Sequence, residues 1–365
     1  MKQAIGGAAA LVMMASLAQA GGVERTRQSV GILFEKGNLV ELSFGAVGAS
    51  VSGTGVAVTP GAASGDMTDT YFQTGLAYKR DLNDRLAFAL IFDQPFGANV
   101  TYPAASGYYA GGATAELRSS AVTAVLKYTT DTNFSLYGGA RYQTLMAQAS
   151  VPFVASYTGT SSTDGSFGYV VGAAYEKPEI ALRVALTYNS AIDHDWSVVE
   201  TGPVPGTTPL TVSTPESVNL DVQSGIAKDT LLFGSVRWVN WSDFAISPTG
   251  YLAATGVSLV AFREDTVTYT LGIGRKFNEN WSGAVSLMHE PQVGGHASNL
   301  GPKDGATGVT LGLTYKKNNM EITGGLSFVD IGDATTTLST IAPVTAGSFT
   351  NNTAIAAGLR LRYRF

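Results

Sequence analysis

A chain of 365 residues with no linker-like run of proline, serine or charge has room for one large domain. Its formal net charge of -5 comes with no basic stripe, which excludes nucleic acid as a partner because phosphates would go unneutralised. Only 14% of the residues are charged, against about 25% in ordinary soluble proteins, and there is no cysteine for thiol chemistry.

Residues 1–20 read as an export signal: Lys2 supplies a positive start, Ile5 to Leu17 an apolar stretch, and Ala18-Gln19-Ala20 a small-x-small cleavage site. The apolar stretch falls short of the roughly 20 residues needed to span a bilayer. Residues 21–37 are expected to form a short hatch-like segment, with Ile32 and Phe34 partly filling the interior of the domain that follows, 38–365. No later apolar run reaches spanning-helix length. In a membrane, such a chain has to cross as a closed β-barrel, because lipid cannot satisfy open backbone groups.

From residue 38 onward the sequence alternates apolar and polar residues in about fourteen segments, an even number as in bacterial single-chain barrels. They lie near 38–50, 68–80, 85–94, 113–129, 133–153, 166–176, 179–196, 215–227, 230–242, 263–277, 280–290, 305–316, 319–330 and 352–365. Val40, Leu42 and Phe44 oppose Glu41 and Ser43. Leu86, Phe88, Leu90 and Phe92 oppose Ala87, Ala89 and Asp93. Leu182, Val184 and Leu186 oppose Arg183 and Thr187. In the last segment Leu359, Leu361, Tyr363 and Phe365 oppose Arg360, Arg362 and Arg364. Three arginines facing a dry core would carry a prohibitive desolvation cost, whereas facing a wet lumen they cost little. On that ground Arg362→Ala is expected to be mild. The expected fold class is all-β, a transmembrane antiparallel barrel.

Short turns near 81–84, 130–132, 176–178, 228–229, 278–279 and 317–319 alternate with long loops near 51–67, 95–112, 154–165, 197–214, 243–262, 291–304 and 331–351. With both termini periplasmic, every long loop lies outside. Tyr78, Tyr128, Tyr175, Phe277, Trp281, Tyr315, Tyr363 and Phe365 flank the short turns and predict one interfacial aromatic belt. The expected location is a Gram-negative outer membrane. Its lipid and lipopolysaccharide would surround the barrel, and the barrel-assembly machinery would engage the last strand through Phe365.

Several phrases resemble the outer-membrane long-chain fatty-acid and aromatic-hydrocarbon transporter family. Pro215-Glu216-Ser217-Val218-Asn219-Leu220 through Arg237-Trp238-Val239-Asn240-Trp241-Ser242-Asp243-Phe244 is similar to a strand pair ending in Trp-Ser-x-Phe. Leu271-Gly272-Ile273-Gly274-Arg275-Lys276-Phe277-Asn278-Glu279-Asn280-Trp281 is similar to the hairpin after it, and Gln94-Pro95-Phe96-Gly97 to the end of the third strand. The resemblance implies a monomeric barrel with an N-terminal hatch. Hydrophobic molecules would be captured by the outer loops and released through a gap where the third strand kinks. The family's longer hatch, with its Asn-Pro-Ala phrase, has no counterpart between Gly21 and Gly37.

Candidate residues carry alternatives. Phe34, Phe96, Tyr102, Tyr109, Phe153 and Tyr157 are candidates to bind a hydrophobic substrate; the loop aromatics among them could equally form a small loop core. Pro95 and Gly97 mark a lateral opening or an ordinary strand end. Arg183, Arg237, Arg360 and Arg362 line the lumen, either to bind a carboxylate or to pair with Glu41, Asp221 and Glu321. His194, His289 and His296 are scattered, with no serine beside them and no metal-ligand spacing, so neither a catalytic residue nor a cofactor is expected and the chain reads as no enzyme. Transport of hydrophobic small molecules such as long-chain fatty acids is the leading expectation, with a general diffusion porin for small polar solutes as the alternative.

Overall fold

The computed structural model describes residues 22–338 and 344–365; the expected export signal lies outside the described residues. The alternating segments form fourteen antiparallel strands closed into a barrel. They are β1 (Leu39–Ser50), β2 (Tyr71–Asp81), β3 (Leu86–Asp93, continued as Gly97–Thr101), β4 (Thr114–Thr129), β5 (Phe134–Val151), β6 (Asp164–Lys177) and β7 (Leu182–Asn189, continued as Ile192–Thr201). Then come β8 (Gly206–Thr214, continued as Ser217–Ala227), β9 (Thr230–Val239), β10 (Thr266–Lys276), β11 (Trp281–Glu290), β12 (Ala306–Lys317), β13 (Met320–Ile331) and β14 (Asn352–Arg364). Each strand pairs with its sequence neighbour. β1 closes on β14 from Leu39↔Arg364 to Ser50↔Thr353, which leaves no open edge at the seam.

The outward side chains are the apolar set of the sequence reading: Leu136 is 64% exposed, Leu311 58% and Ile355 60%. Short turns are tight because Asn133, Asp229 and Asn318 adopt left-handed backbone, which Asn and Asp tolerate. The expected aromatic belt is present at the turn end, with Phe134 against Tyr175, Trp281 against Tyr315 and Tyr78 against Phe365. A second belt, not anticipated from sequence, lies towards the loop end, where Tyr142 packs on Phe167 and Tyr169 on Tyr188. Leu311, well between the belts, should report the hydrocarbon interior. Leu311→Arg is expected to cost about 2–4 kcal/mol in unfolding from bilayers, and Leu361→Arg, beside Tyr363 of the turn-end belt, only about 0–1. Equal costs at the two positions would refute this placement of the membrane.

The stretch read as a loop at 197–214 is instead strand. β7 and β8 extend beyond the barrel rim as a hairpin, with Ile192↔Thr214 and Trp196↔Leu210 in register. Facing changes phase at Ser190. Below it Ala185, Thr187 and Asn189 point in; above it Ile192, His194, Trp196 and Val198 do, while Asp193, Asp195 and Ser197 point out. The polar outer face belongs above the membrane, where the barrel wall meets water. The hairpin's apolar side chains are thereby turned inward.

Candidate functional site

The N-terminal segment packs inside the turn end of the lumen. Val30, Ile32 and Leu33 pack against Leu39, Ala89, Val125 and Val170 on the inner wall. Phe34 lies 4.8 Å from the cations of both Lys127 and Arg183 and edge-on to Tyr137. Glu35 is held by Arg362 at 2.9 Å and Arg364 at 2.7 Å. Burial alone would raise its carboxyl pKa, but these guanidiniums overcome that and hold it at about 2. Arg362 also bonds Glu41 at 2.5 Å and Glu321 at 3.3 Å. Higher up, Arg237 pairs with Glu24 and bonds Asn219 at 2.7 Å and Ser217 at 3.1 Å. Short as it is, the segment is bonded to β2, β3, β8, β9 and β14.

Above this filling lies an apolar chamber of ≈ 210 Å³. Gly22 to Glu24 form its floor, and Val47, Leu117 and Val329 line its barrel wall. Trp196, Val198 and Leu210 of the extended hairpin close one side, and Phe244, Ile246 and Phe262 cap it. The cap belongs to the loop after β9, which includes the short helix α1 (Thr249–Thr255). Trp241, the first residue of the Trp-Ser-x-Phe phrase, is fully buried between Phe96, Phe244 and Phe262. Gly22 passes against its indole with φ +55°, so a side chain there would meet both the ring and backbone strain.

Polar groups on the chamber are few. Glu24 is taken by Arg237, and Glu116 by Arg118 and by Gln148 at 2.7 Å. Lys303, from the loop after β11, borders the chamber with no hydrogen bond or ion pair to its ammonium among the described residues. Burial brings its pKa down to about 8, against the opposing pull of Glu290 and Glu24.

The wall is interrupted beside the chamber. The β2–β3 ladder runs from Asp81↔Ala87 only as far as Leu76↔Phe92. β3 then breaks at Gln94-Pro95-Phe96. It resumes at Gly97, paired to β4, with one more residue than β4 spends over the same stretch: Asp93↔Ala121 becomes Gly97↔Arg118. On its other side the resumed strand meets the stretch before β2 through an isolated bridge, Thr68↔Val100. The N-terminal segment uses the freed backbone groups: Arg25 N donates to Pro95 O at 2.8 Å, and Gly97 N to Val23 O at 2.8 Å. Arg25 reaches across the interruption, 4.2 Å over the Tyr71 ring and bonded to Asn99. A Cβ at Gly97 would collide with its side chain.

The sequence-derived candidates fall into three places. Pro95 and Gly97 flank the break itself. Phe96 points inward onto Trp241. Tyr102, Tyr109 and Phe153 belong to a cluster at the loop end, with Tyr109 edge-on to Phe153 at 5.5 Å and the Tyr102 hydroxyl donating to Asn299 O at 2.6 Å. Tyr157 packs on Tyr251 and donates to Glu200 at 2.9 Å. Phe34 lies far below, in the filled half. None of these six side chains borders the chamber, whereas Gly97 does. The signal for part of the chamber's lining was present in the alternation Ile192, His194, Trp196, Val198, which continues past the expected strand end. Of the lumen arginines, Arg237 and Arg362 pair with carboxylates and Arg183 stacks on Phe34, while Arg360 has no hydrogen-bond partner among the described residues.

No curated protein matches the chain in sequence. Among solved structures it is similar to a Pseudomonas aeruginosa FadL homologue (TM-score 0.74, 14% identity, 92% of each chain covered). It is also similar to the Pseudomonas putida toluene transporter TodX (TM-score 0.66, 14% identity, 96% of this chain and 97% of that one). The Ralstonia pickettii toluene transporter TbuX is comparable (TM-score 0.64, 14% identity, 96% and 97%). At such identities these likenesses speak for the fold. A family model matches residues 36–365, nearly the whole described barrel, and on that match the chain belongs to the outer membrane protein transport protein family (OMPP1/FadL/TodX).

Proposed function

We propose that the chain takes hydrophobic small molecules from outside the cell into the apolar chamber and releases them sideways, between β2 and β3, into the outer membrane. The carrying observation is a juxtaposition. Thr68 and Tyr71 on one side of the wall interruption, and Gly97 to Val100 on the other, all border the chamber, whereas the turn end of the lumen is filled. Sideways release suits such cargo, because each CH₂ gains about 0.8 kcal/mol on leaving water for hydrocarbon and a periplasmic exit would forfeit it. Relatives described as toluene transporters and monoaromatic hydrocarbon channels support the cargo class. On this reading Pro95 and Gly97 create the opening, and Arg25 and the N-terminal segment obstruct it at rest. Tyr102, Tyr109, Phe153 and Tyr157 hold the loops at the entrance, and Phe34 anchors the hatch. The chain acts as a monomer among outer-membrane lipid and lipopolysaccharide, its last strand presented to the barrel-assembly machinery.

The test is uptake of a labelled long-chain fatty acid and of labelled toluene by cells lacking their own transporter. Uptake of either is expected on expressing the protein. Passage of small sugars with neither hydrophobic compound would replace the proposal with a diffusion porin.

Lys303 gives the cargo a pH signature. Its ammonium is charged below about 8 and neutral above. A carboxylate cargo should therefore bind best on the acid side and weaken as pH rises through that value, whereas toluene should show no such loss. Lys303→Met should remove the pH edge. Fatty-acid binding with an unchanged edge in that variant would count against Lys303.

A further inference from the structure

A second cavity, ≈ 140 Å³, lies on the inner wall just below the interruption, enclosed by Arg25 to Ser29 of the N-terminal segment and by β1, β2, β3 and β14. Three guanidiniums border it: Arg25, Arg27 and Arg360. Arg360 is 2% exposed and Arg27 7%. Yet all three nitrogens of Arg360, and Nε and Nη2 of Arg27, are buried without a hydrogen-bond partner among the described residues. The carboxylate oxygen paired with Arg360 belongs to Glu41, 3.9 Å from Nε, and Glu41 is already bonded by Arg362 at 2.5 Å. The other acid on the cavity, Asp93, accepts from Thr26 Oγ1 at 2.7 Å through Oδ2, while its Oδ1 has no partner among the described residues. The lining thus holds three guanidiniums and two carboxylates, with most of the unused donors on Arg27 and Arg360 and one more, Nε, on Arg25, whose Nη2 is already bonded to Asn99.

A buried guanidinium without an acceptor is costly, and a planar carboxylate is the ligand that its forked donors fit best. Two acids on the lining favour a single negative charge over a dianion such as phosphate. The cavity is too small for a whole amphiphile. Its upper rim, however, is Gln73 to Leu76 and Phe92 to Asp93, where the β2–β3 ladder stops. A chain attached to the anion could continue into the apolar opening. We propose that Arg27 and Arg360 form an anion site that takes the carboxylate head of a single-chain amphiphile whose tail lies between β2 and β3. The proposal rests on release through that opening and adds a station for the head group, separate from Lys303.

The test compares laurate, dodecanol and acetate binding to the protein in nanodiscs by calorimetry, with uptake of laurate and dodecanol measured in cells. Arg360→Gln and Arg27→Gln are each expected to weaken laurate binding about tenfold, the worth of one charge-assisted hydrogen bond, and to leave dodecanol unchanged. Arg360→Lys should recover part of the loss. The pH edge assigned to Lys303 should persist in all three variants. Heat-modifiable migration on gels identifies any variant that has failed to fold, in which case the other arginine decides. Equal effects on laurate and dodecanol, or none on laurate, would overturn the head-group site. Acetate binding as tightly as laurate would show a free-anion site and overturn the role of the tail. If neither laurate nor dodecanol is taken up although laurate binding still depends on Arg360, the release reading fails and the anion site stands.

Discussion

Oxidising a cysteine pair at Thr74→Cys and Gln94→Cys is expected to reduce uptake of hydrophobic compounds to the level of cells without the protein, and reductant to restore it. Leu76↔Phe92 is the last paired position of β2 and β3, and Thr74 and Gln94 are the next two that share its outward face. The strands are already close there, since Thr74 N donates to Gln94 Oε1 at 3.1 Å. A disulfide spans about 4.4–6.8 Å between Cα atoms, so it would draw the strand edges together above the ladder's end and shut the opening from the lipid side. The chain has no other cysteine, so no competing disulfide forms. This closure is cleaner than filling Gly97, where a valine would also displace Arg25 and so disturb the residue that obstructs the opening. A second pair across the intact seam, Leu42→Cys with Leu361→Cys, controls for cross-linking as such. Uptake that continues undiminished in the oxidised Thr74–Gln94 variant would eliminate lateral release.

The barrel was legible because its physics is local. A lipid-facing wall forces apolar residues to alternate with lumen residues, and fourteen repetitions of that constraint leave little freedom in the register of, for example, Leu359, Leu361 and Tyr363 against Arg360, Arg362 and Arg364. The chamber was not legible, because its lining comes from elements far apart in sequence whose facing depends on where the membrane ends. Trp196 reads as the end of a wall strand and Val198 as loop, until the strand's extension and the phase change at Ser190 turn both inward. The loop aromatics stand out in the sequence, but that Tyr102, Tyr109 and Phe153 meet one another and Asn299 is a matter of tertiary partners. The Pro95-Phe96-Gly97 break could be read as a strand end. That the N-terminal backbone would pair with it could not, since Val23 and Arg25 carry no sequence mark of a strand.

Arg362 is the clearest case in which facing alone misjudged energetics. Pointing into the lumen suggested a mild Arg362→Ala effect, but the lumen at that level is packed rather than wet. The guanidinium is 1% exposed and gathers Glu35, Glu41 and Glu321, from the N-terminal segment, β1 and β13. Removing it strands three carboxylates near one another with only Arg364 and the more distant Arg360 to offset them. The expected cost is about 3–5 kcal/mol, the range for breaking a buried ion pair from one side. Part of that should appear as release of the N-terminal segment rather than unfolding of the barrel, because Glu35 links the two. Cleavage near Glu35 by added protease, before any loss of heat-modifiable migration, would report it. The pH dependence has a definite sign. Glu35 titrates near 2 when folded against an ordinary 4.5, so its stabilisation is complete above the ordinary value and is lost as pH falls towards 2. In Arg362→Ala that acid-side loss should shrink, since the arginine that contributes most to depressing the pKa is gone. An Arg362→Ala protein as stable as wild type, with the same acid profile, would show that the three carboxylates are held by something other than this arginine.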